Sequence, residues 1–117
     1  MDETLSPQER IRKKKDFLSL YKKGNRYRGK YFNLIYLSND LNFSRMAVIA
    51  SKKIGNAVRR NRIKRLMRAL FRRNKKLLKD PLDIIFIAKK EIHESSWPML
   101  QRDYFAAIES IYQKTRP

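Results

Sequence analysis

Two periodicities alternate along the chain, and together they outline its elements. From about Lys14 to Lys23 the apolar residues Phe17, Leu18, Leu20 and Tyr21 recur at helical spacing, and Gly24-Asn25 supplies a stop. Tyr31 to Leu37 is rich in aromatic and branched residues and predicts a strand, after which Ser38-Asn39-Asp40 turns the chain. Arg45 to Ser51 predicts a second strand around Met46-Ala47-Val48-Ile49-Ala50, and Asp83 to Ala88 a third. Between them, Ala57 to about Leu78 is the clearest helix, ended by Asp80-Pro81. Ser95 or Ser96 can cap a last helix with Pro98 in its first turn, striped by Trp97, Leu100, Tyr104, Ala107, Ile108 and Ile111. The order α-β-β-α-β-α predicts an α+β sandwich, a small sheet packed by helices. Residues 1–9, with Thr4, Ser6 and Pro7, read as a flexible leader, and 10–117 as a single domain.

The 57–78 helix divides its residue types sharply. At 100° per residue, Ile63, Leu66, Met67, Leu70 and Leu77 gather roughly 180–280° from Ala57. Asn61, Arg65, Arg68, Arg72 and Lys75 fall between roughly 0° and 80°, with Lys64 at the border. One side is expected to pack, and the opposite side presents a row of cations.

Charge sharpens this reading. The 117 residues hold 29 Lys and Arg against 11 Asp and Glu, a formal net charge of +18. The 39 residues between Asp40 and Asp80 contain no acid and 14 basic residues, and Arg10 to Lys30 has ten basic residues opposed only by Asp16. So much like charge in a small globule repels itself, and its segregation points to a localised surface for a polyanion. With 42% hydrophobic residues the chain can still bury a core.

Several chemistries are disfavoured. There is no cysteine, hence no disulfide framework and no thiolate metal site. No apolar run approaches ~18 residues, and the acidic start Met1-Asp2-Glu3-Thr4 lacks a signal core, so a cytoplasmic location without membrane contact is expected. Metal-free RNA cleavage asks for an acid and a base near neutrality, yet the one histidine, His93, lies in the polar stretch Glu91-Ile92-His93-Glu94. A two-metal site asks for clustered carboxylates, and the acids here are scattered. No catalytic residue and no protein-held metal are therefore expected.

The segment from Lys52 to Arg68 carries the most information. Gly55-Asn56 predicts a tight turn with Asn56 as helix cap, and the helix start offers backbone N–H groups and a positive dipole end to phosphate. Asn61, Lys64, Arg65 and Arg68 follow on adjacent turns. Arginine grips phosphate with a planar fork, and asparagine can read a base edge or a sugar. These residues suit folded RNA or DNA alike.

The run G-N-A-V-x-R-N-x-x-K-R-x-x-R, from Gly55 to Arg68, resembles the signature of the bacterial ribonuclease P protein. Asp16-Phe17 with Tyr21 and Gly24 resembles that family's first helix, and Tyr31-Phe32 its first strand, so the resemblance spans about 10–112. It implies a fold with an uncommon left-handed β-α-β crossover, where general rules favour the right hand. It implies a ribonucleoprotein that removes the 5′ leader of precursor tRNA, an endoribonuclease whose RNA subunit performs the chemistry. Magnesium is then expected in the holoenzyme, held mainly by RNA, with no cofactor on the protein alone and no obligate protein partner. Lys53, Asn56, Arg60, Asn61, Lys64, Arg65 and Arg68 would face the RNA subunit, while Phe17, Tyr21, Lys52 and Lys89 would line the leader cleft. Ile35 stands where some members have tyrosine, which removes one sheet contact to the leader. The competing readings are a ribosomal or RNA-chaperone protein, a major-groove DNA binder and a nuclease in its own right.

Overall fold

The computed structural model describes residues 6–115, with side chains described to residue 112. The helices are α1 (Lys14–Lys23), α2 (Ala57–Arg73) and α3 (Trp97–Thr115), and the strands are β1 (Asn25–Arg28), β2 (Phe32–Ser38), β3 (Arg45–Ile49) and β4 (Leu82–Ala88). The sheet runs β1-β2-β4-β3, antiparallel except for the β3–β4 pair, whose parallel strands are joined across α2.

The expected order thus gains one element. The short edge strand β1 occupies residues where a helix stop and loop were expected, and its register sets Arg26 against Ile35 and Arg28 against Asn33. Two further expectations need correction. The helix begun at Ala57 ends at Arg73 instead of Leu78: the Asn74 side chain donates to the Leu70 carbonyl, and a 3₁₀ turn follows over Lys75–Leu77. Leu77, placed on the packed side, is consequently exposed, and Leu78 takes the buried position. Of the expected leader, residues 1–5 lie outside the described residues, but Ser6 to Glu9 are folded. Ser6 donates to the Glu9 carboxylate through its amide (3.2 Å) and hydroxyl (2.9 Å), and Glu9 pairs with Lys75.

Alternation along the strands feeds two cores of unequal size. On one face Phe32, Leu34, Tyr36, Met46, Ile84 and Phe86 meet Ile63, Met67, Leu70 and Phe71 of α2 and Leu100, Tyr104, Ala107, Ile108 and Ile111 of α3. On the other, Ile35 and Ile85 meet only Ile11 and Leu20, with Phe17, Leu37, Ala47, Ile49 and Ile87 partly buried around them. One short helix cannot cover a four-stranded sheet, so this second face is left partly open.

The position of α1 on that face is fixed at both ends. Arg45 of β3 grips Asp83 of β4 with its fork, at 2.9 Å from Nε and 2.6 Å from Nη2, and its Nη1 reaches Asp16 in the first turn of α1 at 3.5 Å. At the other end Gly24 lies so close to the sheet that an added Cβ would fall 2.7 Å from Ile35 Cγ2 and 2.4 Å from the Leu20 carbonyl oxygen. Only glycine allows that approach.

Candidate nucleic-acid interface

The site begins at the turn into α2. Gly55, at φ 151°, occupies backbone space that side chains disfavour, and Asn56 caps the helix by accepting from the Arg59 amide at 3.0 Å. The cap and the turn together fix the phase in which α2 displays its side chains. Asn61 and Arg65 are exposed on the outward side, and Arg72 is half-buried beside them. Arg60, Lys64 and Arg68, at spacing i, i+4 and i+8, form the flank that leans toward β3. All three are half-buried, and the Arg60 Nε is enclosed by protein, so these cations rise from stems packed on the fold. Lys53 is exposed in the 3₁₀ turn that precedes the helix.

Acids from elsewhere leave this surface largely uncompensated. Glu9 pairs with Lys75, while Lys53, Arg60, Lys64, Arg65 and Arg68 pair with no carboxylate of the described residues. Burial, and then the neighbouring charge of Arg10, lowers the pKa of Arg68, although a guanidinium stays protonated in any physiological solution. Like charges are held together there, which favours an anion between them.

The half-open face of the sheet adjoins the same flank. A hollow of about 210 Å³ is lined by Arg10, Arg12, Phe17, Ala47, Val48 and Arg68 among others, so α2 and α1 contribute to one concavity. Phe17 is half-buried above β3, and Tyr21, 40% exposed, follows one helical turn later. Ile49 and Ile87 pair in the parallel register and are only partly covered. Lys52 and Lys89 both emerge beyond that pair, at the same end of the sheet. Lys52 is exposed; the Lys89 ammonium donates to the Gly29 carbonyl at 3.0 Å, which holds it near the β1–β2 connection.

The sequence-predicted residues therefore fall into two adjoining groups, one on α2 and its entry turn, the other around the open sheet face. Arg10, Arg12, Arg26 and Arg28 escaped individual prediction. The first two join the hollow through a β-bridge between Arg10 and Met46; the last two share the α1 side of the sheet with Ile35 and Asn33. One aromatic between two arginines, Arg26-Tyr27-Arg28, is too short an alternation to have signalled this edge.

Among the described residues no three His, Cys, Asp or Glu side chains come together as a metal site, and no helix is long and apolar enough to cross a membrane. The His93 Nε2 meets the Ile54 carbonyl oxygen and ties the segment before α3 to the turn before α2.

The class these features define is a small basic α+β protein with a cationic helix flank continuous with a shallow, partly apolar cleft. The chain belongs to the ribonuclease P protein family, whose pattern it matches over residues 5–112. It is 50% identical over 86 residues to the ribonuclease P protein component of Syntrophus aciditrophicus, covering 74% of this chain and 72% of that one. It is 37% identical over 94 residues to that of Thermotoga maritima, covering 80% of each. The fold agrees with two solved structures. The ribonuclease P protein of Thermotoga maritima superposes with a TM-score of 0.79 at 30% identity, over 87% of this chain and 96% of that chain. That of Staphylococcus aureus gives 0.79 at 32%, over 88% and 94%.

Proposed function

We propose that this chain binds the RNA subunit of ribonuclease P and the 5′ leader of precursor tRNA, and so assists an endonucleolytic cut performed by RNA. The observation that carries this reading is the flank of α2 whose Arg60, Lys64 and Arg68 pair with no carboxylate of the described residues and which runs into the half-open cleft under α1. Lys53, Asn56, Arg60, Asn61, Lys64, Arg65 and Arg68 take the RNA subunit. Phe17, Tyr21, Lys52 and Lys89 take the leader. Aromatic faces stack on any base, which suits a leader that differs among tRNAs. Contacts to the leader hold precursor more tightly than mature product, which has none. The cations reduce repulsion where RNA strands converge, and magnesium, held mainly by RNA, then binds at lower concentration.

Replacing Phe17 and Tyr21 together by alanine tests the leader assignment. Each stacked base contributes about 1–3 kcal/mol, so the holoenzyme should lose roughly tenfold or more in affinity for precursor tRNA. Affinity for mature tRNA should not change. Equal losses for precursor and product would assign the two aromatics to the fold alone.

A further inference from the structure

One row of side chains crosses the α1 side of the sheet without being buried by the helix. The register sets Arg28 of β1 against Asn33 of β2, Asn33 against Ile87 of β4, and Ile87 against Ile49 of β3. In the neighbouring row Ile35 and Ile85 are buried with Leu20 of α1, whereas Asn33, Ile87 and Ile49 are only half-buried and Arg28 is exposed.

Asn33 is out of place in this row. A short amide gains little from a pleated, half-buried surface, and its neighbours Ile35, Ile49 and Ile87 are aliphatic. Arg45 and Asp83, polar groups of the same face, satisfy each other. Asn33 does not share in any such pair: its Oδ1 is enclosed by protein yet accepts no hydrogen bond, and its side chain has no other partner among the described residues. Nothing in the fold compensates such a group. With the oxygen turned inward, the amide offers its Nδ2, a donor, to the open face. Beside it, Arg28 pairs with no carboxylate of the described residues.

Across the sheet the row therefore presents a cation, a hydrogen-bond donor and two aliphatic surfaces. A single-stranded nucleotide has the matching parts: a phosphate, a base edge and a flat base face. A donor selects among base edges. Uracil and guanine carry a carbonyl oxygen where cytosine and adenine carry an amino group, which is itself a donor.

We infer that Asn33 is a specificity-determining residue for the leader: its Nδ2 donates to the keto oxygen of one leader base lying across this row, and Arg28 holds a phosphate next to that base. This rests on the leader-binding role proposed above and narrows it, from a cleft tolerant of any base to one position that prefers U or G.

The test uses the holoenzyme and a precursor-tRNA pool with a randomised leader, sequencing the bound and unbound fractions. We expect U and G to be enriched over C and A at one leader position by roughly three- to tenfold, the effect of one net hydrogen bond. Asn33→Val should erase that preference. Its unfolding midpoint should stay equal or rise, because the change removes an unpaired amide from an aliphatic row. Arg28→Gln should keep the preference and make the salt slope of precursor binding shallower by about 0.7, the single-strand value for one phosphate. A preference absent from the unsubstituted holoenzyme, or surviving N33V, overturns the role of Asn33. A preference for A or C that N33V erases overturns the donor assignment, and an unchanged slope in R28Q overturns the phosphate contact. If the unsubstituted holoenzyme holds precursor no more tightly than mature tRNA, the parent reading itself fails, whichever residue stands at position 33.

Discussion

Replacing Arg60, Arg65 and Arg68 by alanine is expected to weaken binding of the ribonuclease P RNA by on the order of 10³-fold, at about 1.5 kcal/mol for each charge-assisted contact. None of the three has a carboxylate partner among the described residues, so their removal costs the fold no ion pair. Arg65 projects from the exposed side, and Arg60 and Arg68 rise from half-buried stems along the β3-facing flank. The loss should be electrostatic in kind as well as in size. The slope of log K against log salt should fall by roughly 2–3, which is 0.7–0.9 per phosphate for three phosphates. Circular dichroism and a filter-binding series over salt check both parts. A triple variant that keeps its affinity, or loses it without a change of slope, would remove α2 from the RNA interface.

The second large effect concerns stability and reaches function through α1. Asp83 is 8% exposed and accepts both arms of Arg45 as well as the Asn39 amide, at 2.8 Å. The hydrogen bond to Asp83, opposed by burial and aided by the charges of Asp83 and Asp16, raises the pKa of Arg45 above its ordinary value. Asp83→Ala would strand a guanidinium that keeps only 20% of its side chain in solvent. Breaking one half of such a pair costs about 3 kcal/mol, the low end of the range because Asp16 remains. Urea unfolding should show this as a lower midpoint with an unchanged slope. The same arginine tethers Asp16 and therefore the helix that carries Phe17, so discrimination of precursor over mature tRNA should fall as well. A midpoint within experimental error of the unsubstituted protein would show that the Arg45 fork is not holding β3, β4 and α1 together.

Much of this molecule was legible in its residues, and the exceptions have physical causes. The α3 stripe buries Leu100, Tyr104, Ala107, Ile108 and Ile111 as its spacing predicts, and Ser96 accepts from the Met99 amide at the helix start. Trp97, read from its pattern as part of that stripe, is half-buried with the Arg73 guanidinium 5.4 Å from its ring centre. The cap at Asn56 follows from the Gly-Asn turn chemistry. The edge strand β1 was not legible because four residues with one aromatic and two arginines carry almost no apolar alternation; they pair because β2 offers an open edge. The end of α2 was overrun because Leu77 and Leu78 prolong a helical apolar spacing, while a local hydrogen bond from Asn74 closes the helix a turn earlier. Phe71 was passed over as core for a related reason: at roughly 320° it lies outside the narrow stripe, yet the packed side is wide enough to bury it completely. The division of site residues between α2 and the cleft came from the resemblance; the residues alone left RNA and DNA open. The contribution of Arg10 and Arg12 needed three dimensions, since only the bridge to Met46 brings that segment beside Arg68.

The most direct measurement is precursor-tRNA cleavage by the ribonuclease P RNA, titrated with magnesium in the presence and absence of this protein. The cations of α2 should shift the midpoint to lower magnesium, and the protein lacking Arg60, Arg65 and Arg68 should return it to the value of RNA alone. The same midpoint with and without the intact protein would contradict the account.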